Sequence, residues 1–544
     1  MSDQPKKKVY GIDLGTTYSA ISYIDDTDKA AIINNREGGQ ITASAVYFDD
    51  DGSAIIGEVA KDSGKMNPDR IVELIKRDMG TKTTREIMGK EYSPENISAI
   101  ILRDLVKSAA ESGHEVKDVV ITCPAYFGLA EREATKNAGI MAGLNVIQVL
   151  DEPIGAALSY NSVKEPGMDK TVIVYDLGGG TFDVTIVRLT ENEIRILCTD
   201  GNHRLGGADW DARLEALIAQ KFMEQCPSAG DPRDDPESAY DLHVETEKIK
   251  KNLSAKTKVS KAISHGGERA NVTVTREEFN LCTRDLLDET INFTNKMIEF
   301  AREKKDVTKF DEFLLVGGST RMSQVMERVT AEYSTSLGVE PKVFDPDLAV
   351  SKGAAVYGTF WYKEIPEPTP EPILGGVVEP YSIDGTTKTP TPSGPTITFA
   401  ASKSYGIKVR NKKTDELVCY NMIPKQSEVH EINGYVFSNV FGTSADNATE
   451  LPLVVFSNDN PEQYASLDMC TEVGVATMIL KPGLPAGAPI FVEFKLTKEG
   501  LLSVRAEDQT HHEKVEAEFT LTDALTQEEL QGETTRVAEI VIQD

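Results

Sequence analysis

One short pattern is written twice in this chain, and it constrains the fold more than any other feature. Gly11-Ile12-Asp13-Leu14-Gly15-Thr16-Thr17 recurs as Val174-Tyr175-Asp176-Leu177-Gly178-Gly179-Gly180-Thr181. Each time an apolar run enters Asp-Leu-Gly, passes a turn of small residues and leaves as an alternating stretch, 18–24 and 182–187. Glycine lets backbone N–H groups approach a phosphate without Cβ interference, and threonine hydroxyls add donors. A polyphosphate would repel the aspartate before each turn unless a divalent cation bridged the two. Mg²⁺, which keeps several waters and takes one or two carboxylates, suits that place. A single such turn is equally an ordinary hairpin, whereas two copies suggest related lobes facing a cleft. A third glycine pair, Leu315-Val316-Gly317-Gly318-Ser319-Thr320-Arg321, again ends a strand-like run. There Ser319 or Thr320 would also serve as a helix N-cap. The Walker and Rossmann glycine patterns are absent from the sequence, which disfavours those nucleotide classes.

The text around the repeat alternates β-branched runs (119–122, 171–175, 313–316) with helical stretches (93–112, 131–142), the signature of an α/β sheet protein. Eight prolines between Lys363 and Pro395 break that pattern. Proline at such density forbids helix and central strand, so 363–395 is expected to be an interdomain linker. Beyond it, period-2 stretches at 396–400, 451–456, 490–496, 501–506 and 514–521 predict an antiparallel β domain. The end is expected to hold at most one short helix, 527–530, and a terminal strand. At roughly 150 residues per domain, 544 residues accommodate two to four such units.

The net charge is −29, and it divides at the linker: −15 over 1–362 (44 basic, 59 acidic) and −14 over 363–544 (14 basic, 28 acidic). With no basic run beyond Lys6-Lys7-Lys8, the balance excludes a nucleic-acid footprint. Those lysines lead into Asp13 without an apolar core, so they are no secretory signal, and no run approaches a membrane span. Six dispersed cysteines without a CxxC pair read as reduced thiols of a cytoplasmic protein, and no HExxH suggests zinc.

In order and spacing, Ile12–Ser19, Cys123-Pro124-Ala125-Tyr126-Phe127, Asp151-Glu152-Pro153, Asp176–Asp183, Leu205-Gly206-Gly207 and Val316–Arg321 closely resemble the seventy-kilodalton heat-shock chaperones. The likeness is strong over 8–360 and weaker over 396–520. It implies a two-lobed actin-like α/β ATPase domain (1–362), then the linker (363–395). An antiparallel β-sandwich for peptide (396–522) follows, with a vestige (523–544) of a largely absent helical lid. The cofactors implied are ATP or ADP, Mg²⁺ and K⁺. Asp13 and Asp176 would hold Mg²⁺ through water. Gly15, Thr16, Thr17, Gly178, Gly179, Gly180, Gly206 and Gly207 would cradle phosphate. Lys76 would balance charge on the transferred phosphoryl group, while Thr181, Asp176 and Glu152 position the attacking water. Asp183 and Tyr18 match monovalent-cation contacts. Adenosine would sit against Glu247, Lys250, Ser254, Gly317, Gly318, Ser319, Arg321 and Asp347. Pro124 and Arg132 match a relay between nucleotide state and domain docking, and Ile407, Val409, Phe441, Leu451 and Leu453 would line a peptide pocket.

Plainer roles compete. Lys76 and Arg132 lie in helical text, where charges usually face solvent; Glu152 suits a helix N-terminus; and alternating apolar residues of a sandwich are usually its core. The chain also departs from the family. Its linker is proline-rich rather than a leucine run, with 373–378 able to substitute as a docking strand, and the hairpin within 80–92 looks short. Without a lid, bound peptide should leave quickly. The first expectation is a slow ATP-hydrolysing chaperone for extended hydrophobic client segments, served by J-domain and nucleotide-exchange co-chaperones and monomeric. The second is an ATP-binding adaptor that docks one fixed partner, and a sugar kinase on the same fold is third.

Overall fold

The computed structural model describes residues 8–160, 168–360, 395–411, 413–430, 434–497, 501–519 and 525–543. The proline-rich 363–394 and the 373–378 run lie outside them.

The two copies of the repeated pattern are two hairpins. Strand Val9–Asp13 pairs antiparallel with Tyr18–Ile24, and Asp169–Leu177 pairs antiparallel with Phe182–Thr190. Each hairpin is central to its own sheet. Val9–Asp13 also runs parallel to Asp118–Cys123, which continues parallel to Asn145–Asp151. Asp169–Leu177 likewise runs parallel to Glu312–Val316, and Phe182–Thr190 pairs onward with Glu193–Asn202. Asp118–Cys123 is buried at every position, as a central parallel strand covered on both faces should be. Helices Glu152–Tyr160 and Ala349–Gly358 join the core that links the two sheets. A Cβ on Gly353 would stand 1.7 Å from the Gly155 carbonyl oxygen, so this helix crossing depends on backbone-to-backbone approach. The two Asp-Leu-Gly turns, at equivalent strand ends, therefore face each other.

The C-terminal third is a sandwich of antiparallel sheets. One holds Tyr464–Ser466, Leu417–Ile423, Ser404–Arg410, Glu450–Asn458 and Thr471–Ile479; the other holds Tyr435–Gly442, Pro489–Leu496, Leu502–Asp508 and Lys514–Phe519. Leu502–Asp508 alternates strictly between buried and half-buried positions, the period-2 register of a strand with one face in the core.

Two expectations are corrected here. Thr396–Ala400 does not open the sandwich. It runs parallel to Glu193–Asn202 as a further strand of the second lobe's sheet, and Glu428–His430 pairs with it in turn. Alternation marks a strand but does not say which sheet it enters; the free edge of Glu193–Asn202 takes this one and buries Ile397 completely. Second, the terminal helix runs Gln527–Ala538, well beyond 530, because a Thr526–Glu529 capping box starts it and burial of Val537 holds its last turn. The segment after it forms a single parallel bridge, Ile542 to Ala54. The 80–92 segment does form a hairpin, Arg85–Ile87 with Lys90–Tyr92. All six cysteines are free, and Cys123, Cys198, Cys226 and Cys419 are buried. No described helix is long and apolar enough to cross a membrane.

Candidate functional site

Between the lobes lies a cavity of about 630 Å³. Its floor is made where glycine-bearing segments interlock so closely that side chains are excluded. A Cβ on Gly179 would fall 1.9 Å from Thr17 Oγ1, and one on Gly180 would fall 2.2 Å from Thr16 Cγ2. Gly207 N donates to the Gly178 carbonyl (3.0 Å), Ala208 N to that of Gly179 (2.7 Å), and Ser319 Oγ to Gly178 O (2.8 Å). Gly317 takes φ +82°, and a Cβ there would meet Asp176 Oδ1 at 2.4 Å. Such packing keeps Cβ atoms away from the loops and suits an anion that must touch backbone. The N-cap alternative for the third loop is not what forms: Met322 occupies the N-cap position of the helix Ser323–Leu337 without a side-chain bond, Ser319 ties the third loop to the second, and Thr320 bonds back to Gly317 O.

Lys76 lies on the 3-10 turn Ile75–Asp78, 5% exposed, with its Nζ 2.5 Å from Glu152 Oε1. This solvated-face candidate is thus a buried ion pair. Burial alone would lower the lysine pKa, but Glu152 and Asp13 outweigh it and raise it. Glu152 also begins the helix Glu152–Tyr160, so its helix-end role and its pairing coincide. Burial and repulsion from Glu152 push Asp13 up to about 7 against the pull of Lys76 and of Thr122, whose Oγ1 lies 3.2 Å from Asp13 Oδ1. Burial, then Glu152 and Asp13, raise Asp176 well above the carboxylate range. Carboxylates crowded until proton uptake is favoured are what a bound cation would relieve. An ion such as Mg²⁺ held by the two carboxylates of Asp13 and Asp176 would keep several of its waters. The residues therefore fit a hydrated divalent ion on a polyphosphate.

Of the expected residues, Asp13, Gly15, Thr16, Thr17, Tyr18, Lys76, Glu152, Asp176, Gly178, Gly179 and Thr181 line the cavity. So do Glu247, Lys250, Ser254, Gly317, Gly318, Ser319, Arg321 and Asp347. Gly180, Gly206 and Gly207 stand behind this wall as packing partners of the loops. Asp183 is also behind it, 1% exposed, with both carboxylate oxygens lacking a hydrogen-bond partner. Tyr18 does not join it through its hydroxyl, whose single hydrogen is shared between Glu58 (2.9 Å) and Glu247 (3.1 Å) and which accepts from Lys251 (2.7 Å). Burial would raise the Glu247 pKa, but Lys61 and Lys251 hold it well below the usual range. Lys250 is pinned by Asp211 (2.5 Å) and the Gly207 carbonyl (2.9 Å).

Sequence reasoning missed Arg77. Its Nε and Nη2 donate to the Gly180 carbonyl at 3.0 and 2.8 Å, and Nη2 pairs with Asp209 at 2.5 Å. Asp209 in turn accepts from Gly206 N (2.8 Å). One side chain of the first lobe thus fixes the phosphate loop of the second, and its only sequence signal was adjacency to Lys76. Lys61 and Asp211 were missed likewise.

Arg132 binds Asp151 and the Phe127 carbonyl (3.0 Å) where the first lobe meets the sandwich; Phe127, Arg132, Asp151, Phe399 and Tyr405 line one small cavity there. Pro124 accepts from Phe127 N (3.1 Å) just before it. The pocket candidates Ile407 and Leu453 are buried in the sandwich core, and Val409, Phe441 and Leu451 are half-buried against it.

The Hsp70 protein family model matches residues 9–88 and 82–367. The chaperone protein DnaK of Thermosipho melanesiensis is 35% identical over 512 residues, 92% of this chain and 78% of the relative. That of Thermotoga neapolitana is 36% identical over 515 residues, 93% and 79%. Motif order, two facing phosphate-type turns and similarity over most of its length agree: the chain belongs to the Hsp70 family.

Proposed function

We propose that this chain is an ATP-hydrolysing chaperone of the Hsp70 family that binds extended hydrophobic segments of client proteins on its sandwich. The reading is carried by the buried Lys76–Glu152 pair between Asp13 and Asp176, on the floor of a glycine-walled cavity. ATP is the substrate. Thr16, Thr17 and the backbone of 178–180 receive its phosphates, and Glu247, Lys250, Ser254, Arg321 and Asp347 receive the nucleoside. Asp13 and Asp176 would hold Mg²⁺, which would supply neutralisation of phosphate charge when bound. The Lys76 ammonium offsets charge that develops as the γ-phosphoryl group leaves. Glu152, Asp176 and Thr181 orient water for attack, and Glu152 keeps the lysine aimed. Asp183, with its unpartnered oxygens, fits K⁺. Half-buried Val409, Phe441 and Leu451 would hold client side chains, backed from the core by Ile407 and Leu453, and Pro124 and Arg132 would couple the sandwich to the cleft.

Lys76→Ala should reduce ATP turnover by about 10²-fold, with nucleotide still bound in calorimetry. Unchanged turnover would remove the mechanism. The adaptor reading is favoured by the two-ended attachment of the sandwich considered next.

A further inference from the structure

Residues 525–543 serve none of the chemistry above, yet side chains and backbone of the first lobe hold them at many points. The helix Gln527–Ala538 lies on the first lobe. Val537 is fully buried there, and Leu530 and Ile540 pack against the same core. Asn96 Nδ2 donates to Glu533 (2.8 Å); Arg536 donates to the Glu91 carbonyl (2.9 Å) and Asn96 Oδ1 (2.6 Å). A helix ends with carbonyls that have no partner of their own. Here the Arg103 guanidinium takes them, donating to Val537 O, Ala538 O (3.3 Å) and Ile540 O (2.9 Å). The chain then extends along Ala54, whose N donates to Val541 O (2.8 Å) and whose O accepts from Gln543 N (2.9 Å). Lys107 holds Ile542 O (3.0 Å), Arg36 holds Gln543 O (2.7 Å), and the Gln543 amide donates to Asp49 (3.0 Å) and Ser53 (2.6 Å). The segment thus bridges the edge at Ala54 and fills a ready-made set of donors, a one-residue version of strand-addition recognition.

The other end of the sandwich is anchored on the opposite lobe. Thr396–Ala400 pairs with Glu193–Asn202, the Gln426 amide bonds both ways with the Thr199 backbone (2.9 and 2.5 Å), and Lys425 reaches Asp200 (3.2 Å). Five residues, 520–524, separate the last sandwich strand from the segment on the first lobe. Fully extended, that connector reaches only about 20 Å, so the sandwich cannot swing away while both anchors hold.

We propose that 525–543 is an intramolecular clasp that keeps the sandwich seated across both lobes whichever nucleotide fills the cleft. The proposal rests on the nucleotide-binding reading only for the words "whichever nucleotide". Releasing the clasp would exchange these hydrogen bonds for bonds to water and re-expose Val537 and Ile542, which opposes opening.

The test is hydrogen–deuterium exchange of the full chain, reading 193–202 and 396–400 as the junction and 527–543 as the clasp. It is run without nucleotide, with ADP and with a non-hydrolysable ATP analogue. In the wild type, clasp and junction should stay protected in all three conditions. In a variant combining Arg103→Ala with Ile542→Asp, clasp exchange should rise at least about 10-fold and the junction should follow. A second variant, with ten Gly/Ser residues inserted between 522 and 523, keeps every clasp contact and guards against misfolding of the first. Its junction should lose protection by a similar factor while its clasp stays protected. A wild-type clasp that exchanges freely, or a wild-type junction that opens in ADP with the clasp intact, overturns the proposal; so does an unchanged junction in both variants. Absence of heat on titrating ADP would instead overturn the nucleotide site, and the nucleotide-free comparison would still decide the clasp.

Discussion

His243, on the helix Pro236–Ala255, stands at the cavity with Nδ1 3.5 Å from Glu215 and Nε2 3.9 Å from Glu73. Glu73 belongs to the first lobe and also accepts from Tyr240 (2.8 Å) and faces Lys61 (3.6 Å), while Glu215 and Asp211 lie on the second lobe's helix Gly207–Gln225. The Glu215 hydrogen bond raises the histidine pKa above 6.5; burial opposes this, and Glu73 and Asp211 add to the rise. A raised cationic pKa stabilises the closed fold fully below the unfolded value, and the benefit is lost as pH climbs through the folded value. The gap in thermal midpoint between wild type and His243→Gln should therefore be widest near about pH 6 and close toward about pH 8.5. A gap that widens with pH would reverse the assignment. At this scale the sequence made Asp13, Asp176 and the glycines readable, because turn chemistry is local. Lys76 and Glu152 became readable only through resemblance, since their partnership joins positions far apart in the chain. Arg77 and His243 were unreadable because their partners, Gly180 O and Glu73, come from other elements.

Where helices Glu152–Tyr160 and Ala349–Gly358 cross, Gly353 leaves no room for a methyl group. Gly353→Ala should cost about 3 kcal/mol or more by overpacking, against the small gain alanine brings to an exposed helix site. Urea titration would read this as a lower midpoint at unchanged slope, and an unshifted midpoint would mean the crossing gives way freely. Elements whose apolar period closes on itself, such as 119–122 within Asp118–Cys123, were legible with nearly correct limits. Thr396–Ala400 was legible as a strand but was given the wrong sheet, because partner choice is decided by an edge some two hundred residues earlier in the chain. The terminal helix was underestimated for a different reason. Gly532, Thr534 and Thr535 are weak helix formers, and the last turn survives through Val537 burial and the Arg103 contacts.

On the scale of the whole molecule, the two halves carry −15 and −14 although the second is half as long. The client site proposed above, set on so acidic a domain, should prefer clients whose flanks are basic. An apolar peptide with lysine flanks should lose about 10-fold in affinity between low salt and about 0.5 M, and one with aspartate flanks should not weaken. Equal salt response would remove charge as a selector. The bilobed plan was legible because the Asp-Leu-Gly pattern occurs twice. The seating of the sandwich was not, since it depends on contacts between residues such as Thr199 and Gln426 and between Arg36 and Gln543, which no local pattern links.

The buried cysteines have a consequence of their own. Cys123 lies in the first lobe and Cys419 in the sandwich, and burial pushes both thiols up to about 12. A thiol so placed meets an alkylating reagent only when its surroundings open. The molecule therefore carries two internal clocks, one per domain, whose labelling rates would report separately how often each half breathes.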